Sequence, residues 1–350
     1  MDKLEPKHTP WQDDDPTAAS RKRDHIELAF RSQIGHADVD DRFYYEPVLT
    51  AHPEKGSLPP FSFLGKTLCS PLWVSSMTGG TEYAHIINHN LARACRDFGM
   101  GMGLGSCRSL LFSNDTLKDF DVRSLIGDDL PLYANLGIAQ VEQLLEKNEL
   151  FRVKDLLEKL RADGLIIHIN PLQEWLQPEG DRFKKPPLET ISFFLEKTEV
   201  PLIVKEVGQG MGMESLRALF QLPLQAIDFA ANGGTNFAKL ELLRSDPVKQ
   251  EIYANLAHVG HTATEMVSFT NQLVEELGEK LRCRQVIISG GIRHFLDGYY
   301  LLQKLNLPAV YGQASGFLKH ARGSYDELHD YIASQVQGLE LAYAFLKIKP

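Results

Sequence analysis

The chain has 350 residues, 43% of them hydrophobic and 24% charged, and a formal charge of -9, the balance of a soluble globular protein with room for one large domain or two ordinary ones. The negative charge and a pI near 5.8 exclude wholesale binding to a phosphate backbone, which needs a basic face, so no nucleic-acid partner is expected. No stretch approaches the ~18 apolar residues that span a bilayer, the N-terminus lacks the apolar core of a signal peptide, and Cys69, Cys95, Cys107 and Cys283 form no CxxC pair; a cytoplasmic protein with no membrane partner, zinc site or disulfide framework is therefore expected.

Residues 1–19 are polar, broken by Pro6, Pro10 and Pro16 and by Asp13-Asp14-Asp15, and read as a mobile tail. Residues 20–70 read as an N-terminal arm. It opens on Ser20-Arg21-Lys22-Arg23-Asp24-His25-Ile26, cations ahead of a helix through Ala29 and Phe30. Such a run is either a solvated face or an arm that grips an anion.

Over 71–350 a unit repeats: a short apolar strand, a loop rich in Gly or Ser, then an amphipathic helix. The strands read Leu72–Ser75, Met100–Leu104, Leu132–Asn135, Leu165–His168, Leu202–Lys205, Ala226–Phe229, Val286–Ser289 and Ala309–Gly312. Between the first two, Ile86, Ile87, Leu91, Ala94, Cys95 and Phe98 follow one helical face. Strands alternating with helices require a parallel sheet, and about eight units over roughly 250 residues predict an α/β fold, a (β/α)8 TIM barrel with an N-terminal extension. A doubly wound sheet is the alternative, but Gly101-Met102-Gly103-Leu104-Gly105 sets its third glycine one residue too early for GxGxxG. Ser324 and Glu327 predict a capping box on the last helix. The connections after Gly105 and from Gly233 to about Thr262 exceed the usual ~4–6 residues and read as structureless, each a lid or a disordered insertion.

Barrels place their chemistry at the C-terminal ends of strands. The apolar run Gly164-Leu165-Ile166-Ile167 is followed at once by His168, Asn170, Gln173 and Glu174. His168 and Asn170 share a parity, while Gln173 and Glu174 are expected in an exit loop opened by Pro171 and closed by Pro178 and Gly180. Gly290-Gly291 after the seventh strand and Gly312 with Gly316 after the eighth stand where barrels hold a phosphate. A buried Lys205 ending the fifth strand needs an anion, either a carboxylate such as Glu206 or a ligand.

Seven motifs then stand in one order: Arg21-Lys22-x-x-His25, Ser76-Met77-Thr78-Gly79-Gly80-Thr81, Gly105-Ser106-x-Arg108, His168-x-Asn170-x-x-Gln173-Glu174, Gln177-Pro178-Glu179-Gly180, Lys205-Glu206-Val207-Gly208 and Ser289-Gly290-Gly291-Ile292-Arg293. In order and spacing, from about Arg21 to Leu318, this resembles the type 2, FMN-dependent isopentenyl diphosphate isomerases. The resemblance implies a barrel that binds FMN, Mg2+ and a C5 isoprenoid diphosphate, and that works only with flavin reduced by NADPH or NADH. A homo-oligomer, tetramer or octamer, is expected with it. Position by position, it implies that Met77, Thr78, Ser106, Asn135, Lys205, Thr235, Gly291, Arg293 and Ala314 hold FMN. Arg21, Lys22, His25, Arg108, His168, Asn170 and Gln173 would hold the substrate, Glu174 the metal, and Gln173 and His168 would serve catalysis.

The implied reaction is a 1,3-allylic proton shift without net redox change. An unactivated alkene is a poor base, so protonation demands a strong, positioned acid in a site free of water. Reduced FMN is expected to supply acid and base through its N5 edge, with Gln173 orienting or relaying, since a neutral amide cannot be the main acid. The chain departs from the family where Ala230-Ala231-Asn232-Gly233-Gly234-Thr235-Asn236 replaces Ser-Gly-Arg-Gly-Gly-Thr-Ser, at Cys107, and in its acidic tail. The alternative is an FMN-dependent oxidoreductase of the 2-hydroxy-acid oxidase type. That chemistry needs a histidine base after the sixth strand, where Asn232-Gly233-Gly234-Thr235 stands. A binder without catalysis is a third reading, disfavoured by His168, Asn170, Gln173 and Glu174 occurring together.

Overall fold

Where the repeat from Pro71 predicts strands, a computed structural model describing residues 17–76, 78 and 82–350 has strands. They are β1 (Leu72–Val74), β2 (Gly101–Gly103), β3 (Leu132–Gly137), β4 (Gly164–His168), β5 (Leu202–Lys205), β6 (Ala226–Asp228), β7 (Val286–Ser289) and β8 (Ala309–Gln313). All pair in parallel, and β8 closes the ring on β1 with Gly312 opposite Trp73. Helices cover the outside of the ring, which is why the strands are apolar on both faces and almost wholly buried. The closed barrel excludes the doubly wound sheet.

Packing explains the glycines of β2. A Cβ on Gly101 would lie 2.2 Å from the Trp73 ring, and one on Gly103 would lie 2.6 Å from Ile166 Cδ1. Large side chains on β1 and β4 therefore fill the barrel because β2 yields the space. A hairpin, Phe61–Phe63 with Lys66–Leu68, closes the N-terminal end. Its turn uses positive φ at Leu64 and Gly65, and Phe63 meets Trp73 edge-on at 6.4 Å. Lys66 pairs with Asp163 at 2.6 Å, just ahead of β4.

The helix Glu82–Phe98 buries Ile87, Leu91, Ala94 and Cys95, but Ile86 is exposed. Ile86 therefore falls beyond the edge of the buried face. The long connections are not structureless. The one after Gly105 holds a 3-10 turn, Arg108–Leu111, and helices Leu117–Phe120 and Arg123–Ile126. The one from Gly233 to Thr262 holds helices Phe237–Arg244 and Pro247–Tyr253 and a 3-10 turn, Ala254–His258. Asn236 and Asp246 cap the two helices, accepting from the amides of Lys239 and Lys249 at 2.8 and 3.0 Å, and Leu176, Ala238, Leu242 and Ala257 form a small core beneath them. On the last helix, Tyr325–Phe345, Ser324 Oγ accepts from the Glu327 amide at 3.3 Å, the half of the predicted box that is described.

Two compact units divide the chain, one ending at Phe43 and including Lys349, the other running Tyr44–Ile348 with Pro350. In the first, the helix is Ala18–Leu28, so Arg21, Lys22 and His25 lie on it rather than ahead of it, all exposed, and Ala29 and Phe30 follow it. Residues 1–16, most of the predicted tail, lie outside the described residues, as do Met77, Gly79, Gly80 and Thr81. Among the described residues no helix is long and apolar enough to cross a membrane.

Ala230, after β6, has φ +42°, a left-handed conformation that costs an L side chain about 1–2 kcal/mol. Ala230→Gly is expected to stabilise the fold by about 0.5–1 kcal/mol after glycine's own entropy is counted. Urea melts of the two proteins measure it; a less stable glycine variant would contradict the strain.

Candidate active site

Register builds the mouth of the barrel. His168 of β4 pairs with Lys205 of β5, and Lys205 with Asp228 of β6. Residues in register on parallel strands share a face, so three ionisable groups stand in a row. Asp228 is fully buried; its Oδ1 accepts from Ser289 Oγ, and burial raises its carboxyl above the ordinary range against the opposing pull of Lys205. Lys205 is 7% exposed and donates from Nζ to the carbonyl of Glu206 at 2.6 Å. The Glu206 carboxylate turns elsewhere, accepting from the amides of Gly208, Gln209 and Gly210 at 2.7, 2.6 and 3.1 Å. The Lys205–Glu206 ion pair therefore does not form.

His168 is a neutral ring. Burial first, and then the charge of Lys205, lower its pKa to about 3. Its tautomer follows from Asn135, whose amide nitrogen donates to Leu104 O at 3.1 Å and so turns Oδ1 to His168 Nδ1 at 2.7 Å. A carbonyl oxygen only accepts, so Nδ1 carries the proton and Nε2 is an acceptor. As pH falls the unfolded chain, titrating near 6.5, takes up this proton long before the folded chain does. The stability His168 contributes is thus complete above about pH 6.5 and lost progressively towards pH 3. Urea melts at pH 7 and 4.5 should show a smaller acid loss in His168→Gln than in the parent; equal losses would contradict a neutral His168.

Beside this row lies a polar cluster on the segment after β4. Gln173 and Glu174 are not in a loop: Pro171–Leu176 is a helix with Pro171 at its first position, where the missing N–H costs nothing. Asn170 Nδ2 donates to Gln173 Oε1 at 3.2 Å and Glu174 Oε1 at 3.0 Å, and the Asp181 amide donates to Glu174 Oε2 at 2.7 Å. Arg108 pairs with Asp181 at 2.7 Å. Among the described residues no three His, Cys, Asp or Glu side chains gather to hold a metal. A hard cation would have to combine a carboxylate such as Glu174 with oxygens of a ligand and water, as Mg2+ readily does.

A cavity of about 430 Å³ opens over β5 to β8 and β1, within the roughly 300–1,000 Å³ usual for small-ligand sites. Of the predicted flavin residues, Lys205, Thr235, Gly291, Arg293 and Ala314 line it. Thr78, Ser106 and Asn135 do not; Ser106 is exposed, and Asn135 connects to the cavity's Lys205 through His168. Met77 lies outside the described residues. His168, Asn170, Gln173, Glu174 and Arg108 form the neighbouring cluster rather than the cavity wall, and Arg21, Lys22 and His25 belong to the other unit.

Other wall residues lie outside the set of flavin positions given by the resemblance. Ser75 Oγ, Ser76 Oγ and Gln313 Nε2 are buried without a hydrogen-bond partner among the described residues, and all three line the cavity. Lys319 lines it too, four residues after Ser315 and so on the same side of the helix Ser315–Ala321, a spacing that could have found it. Gly290, at φ +92°, admits no side chain, since a Cβ would lie 2.0 Å from Ala231 O. Its backbone is thereby bare to the cavity.

No protein-family model matches the chain. It is 31% identical over 332 residues to an isopentenyl-diphosphate delta-isomerase of Rickettsia peacockii, covering 92% of this chain and 91% of that protein. To its namesake in Rickettsia felis it is 32% identical over 326 residues, covering 92% and 90%. Solved structures of like fold include a flavocytochrome b2 variant with sulfite bound, with TM-score 0.56 and 15% identity over 86% of this chain and 71% of that one. A mandelate oxidase variant carrying a monooxide FMN adduct has TM-score 0.53 and 16% identity over 88% of each chain. At such identities the likeness is one of fold.

Proposed function

Since the chain belongs to the isopentenyl-diphosphate delta-isomerase family, we propose that it is the type 2 form, holding FMN in the β5–β8 cavity and interconverting isopentenyl and dimethylallyl diphosphate by a 1,3-allylic proton shift. The observation that carries this reading is the cavity walled by Lys205, Arg293 and glycines, with the His168–Asn170–Gln173–Glu174 cluster at its side.

The residues present fit a flavin. Three buried polar atoms without partners among the described residues, on Ser75, Ser76 and Gln313, suit the hydrogen-bonding edge of a flat heteroaromatic ring. Gly290 and Gly291, with Arg293 and Lys319, suit a phosphate after β7 and β8. Bound and reduced by NADPH or NADH, FMN would supply the acid, the base and an electron-rich ring. Lys205 would hold charge on that ring, which a buried cation does strongly in a dry site. Val207, Phe237 and Ile292 on the wall would exclude water from a cation-like alkene.

Arg108 would bind the diphosphate, Glu174 would hold its Mg2+, and Asn170 would hold both Gln173 and Glu174 in place. His168, neutral with a free lone pair on Nε2, would serve as acceptor rather than as a cation. Gln173 Oε1 accepts from Asn170, which leaves its amide nitrogen to orient the alkene or relay a proton. A homo-oligomer in the cytoplasm completes the proposal, supported by Ile26, Phe30 and Ile34 of the arm, all more than 70% exposed.

The fold likeness favours one rival, a 2-hydroxy-acid oxidase, but a histidine base after β6 is replaced by Asn232, whose Oδ1 accepts from the Gly233 amide at 2.8 Å. Oxygen uptake with lactate or glycolate separates the two. Dimethylallyl diphosphate formed anaerobically, without oxygen uptake on hydroxy acids in air, is the expected outcome; the reverse would overturn the proposal.

A further inference from the structure

Asp181, directly after Gly180, touches both halves of the proposed diphosphate-binding apparatus. Its backbone N–H donates to Glu174 Oε2 at 2.7 Å. Its carboxylate accepts at Oδ2 from Arg108 Nη1 at 2.7 Å and Gln140 Nε2 at 2.9 Å, and at Oδ1 from Gln143 Nε2 at 3.4 Å. Gln140 is itself fixed, its Oε1 accepting from the Gly137 amide at 3.0 Å where the helix Ile138–Glu146 begins. The carboxylate is therefore seated on a rigid element behind β3. Arg108 is not: its side chain is 54% exposed and it opens the short 3-10 turn Arg108–Leu111. An arginine so exposed samples many rotamers unless something pins it. Here the pin takes only Nη1, and among the described residues Nη2 and Nε make no hydrogen bond.

The geometry points to Asp181 as a positioning residue: it holds Arg108 beside Glu174, so that one residue sets the spacing between the arginine that takes the diphosphate and the carboxylate that takes its metal. This role rests on the proposed isomerase chemistry. Asp181 touches no reacting atom; it acts through Arg108. An anionic group near an anionic substrate would by itself weaken binding, but Arg108 offsets that charge, and the ordered guanidinium keeps two donor positions for phosphate oxygens.

Asp181→Ala removes the pin and keeps the backbone bond to Glu174. In the flavin-loaded enzyme it is expected to raise KM for isopentenyl diphosphate about tenfold with kcat within about twofold. Calorimetric binding of magnesium pyrophosphate should weaken by a like factor. In an Arg108→Ala background the same change should add nothing, because the residue it serves is gone. Asp181→Asn, which keeps an accepting oxygen without the charge, should fall between. A lowered KM, meaning that Asp181 competes with the diphosphate, an unchanged KM, or an equal loss in the Arg108→Ala background each overturns the role. A parent enzyme that neither isomerises isopentenyl diphosphate nor binds magnesium pyrophosphate overturns the functional proposal, and this inference with it.

Discussion

Glu174→Gln is expected to lower magnesium-dependent turnover by about 10²- to 10³-fold while the protein stays folded and takes up flavin. Glu174 is 9% exposed, and each carboxylate oxygen accepts a hydrogen bond, one from Asn170 and one from the Asp181 amide. A glutamine amide offers one acceptor to these two donors. It therefore turns its N–H2 towards one of them and loses that bond, a cost of about 1–3 kcal/mol that a barrel of this size tolerates. The greater loss is chemical, since an amide is a poor ligand for a hard divalent cation, for which the described residues offer no other carboxylate cluster. Initial rates titrated with Mg2+, alongside the flavin absorbance, separate the two effects. Turnover unchanged within about twofold would remove Glu174 from the metal site.

Lys205→Met should weaken FMN binding by about 10- to 100-fold, the range expected for losing a charge-assisted contact in a buried site. Methionine matches the length of the lysine stem, so the cavity keeps its shape and loses only the charge and its donor. Fully buried Asp228 would lose the one cation that pulls its carboxyl pKa down, and would hold its proton more firmly. Burial already favours the uncharged form of Asp228, so losing its counter-charge should change stability less than flavin affinity. Fluorescence titration of apoprotein with FMN checks this. Equal affinities in parent and variant would mean that Lys205 does not face the ring.

The barrel was legible because each strand is buried on both faces, so runs such as Leu202-Ile203-Val204 stand out without any alternation. Polar residues at strand ends were legible for the same reason: His168 and Lys205 break such runs where the mouth opens. Short helices were not. Pro171–Leu176, Pro247–Tyr253 and Leu117–Phe120 are too brief for a helical period to show, and of the three only Pro247–Tyr253 is marked by a side-chain cap, Asp246. Nor could sequence give partners chosen across the fold. Lys205 passes over the adjacent Glu206 carboxylate because three backbone amides claim it. Asp181 lies outside every motif, yet the fold brings Arg108, seventy-three residues away, to its carboxylate. The resemblance gives His168 a place in substrate binding and catalysis; burial and the neighbouring Lys205 keep its ring neutral.

The central claim is that flavin and metal serve a proton shift in this barrel, and one anaerobic incubation in D2O tests it most directly. Isopentenyl diphosphate is supplied with protein, FMN, Mg2+ and a catalytic amount of NADPH, with each omitted in turn. Dimethylallyl diphosphate carrying deuterium in its new methyl group, formed only in the complete mixture and far in excess of the NADPH consumed, is the predicted result. No product, or product formed equally well with oxidised flavin or without Mg2+, would contradict it.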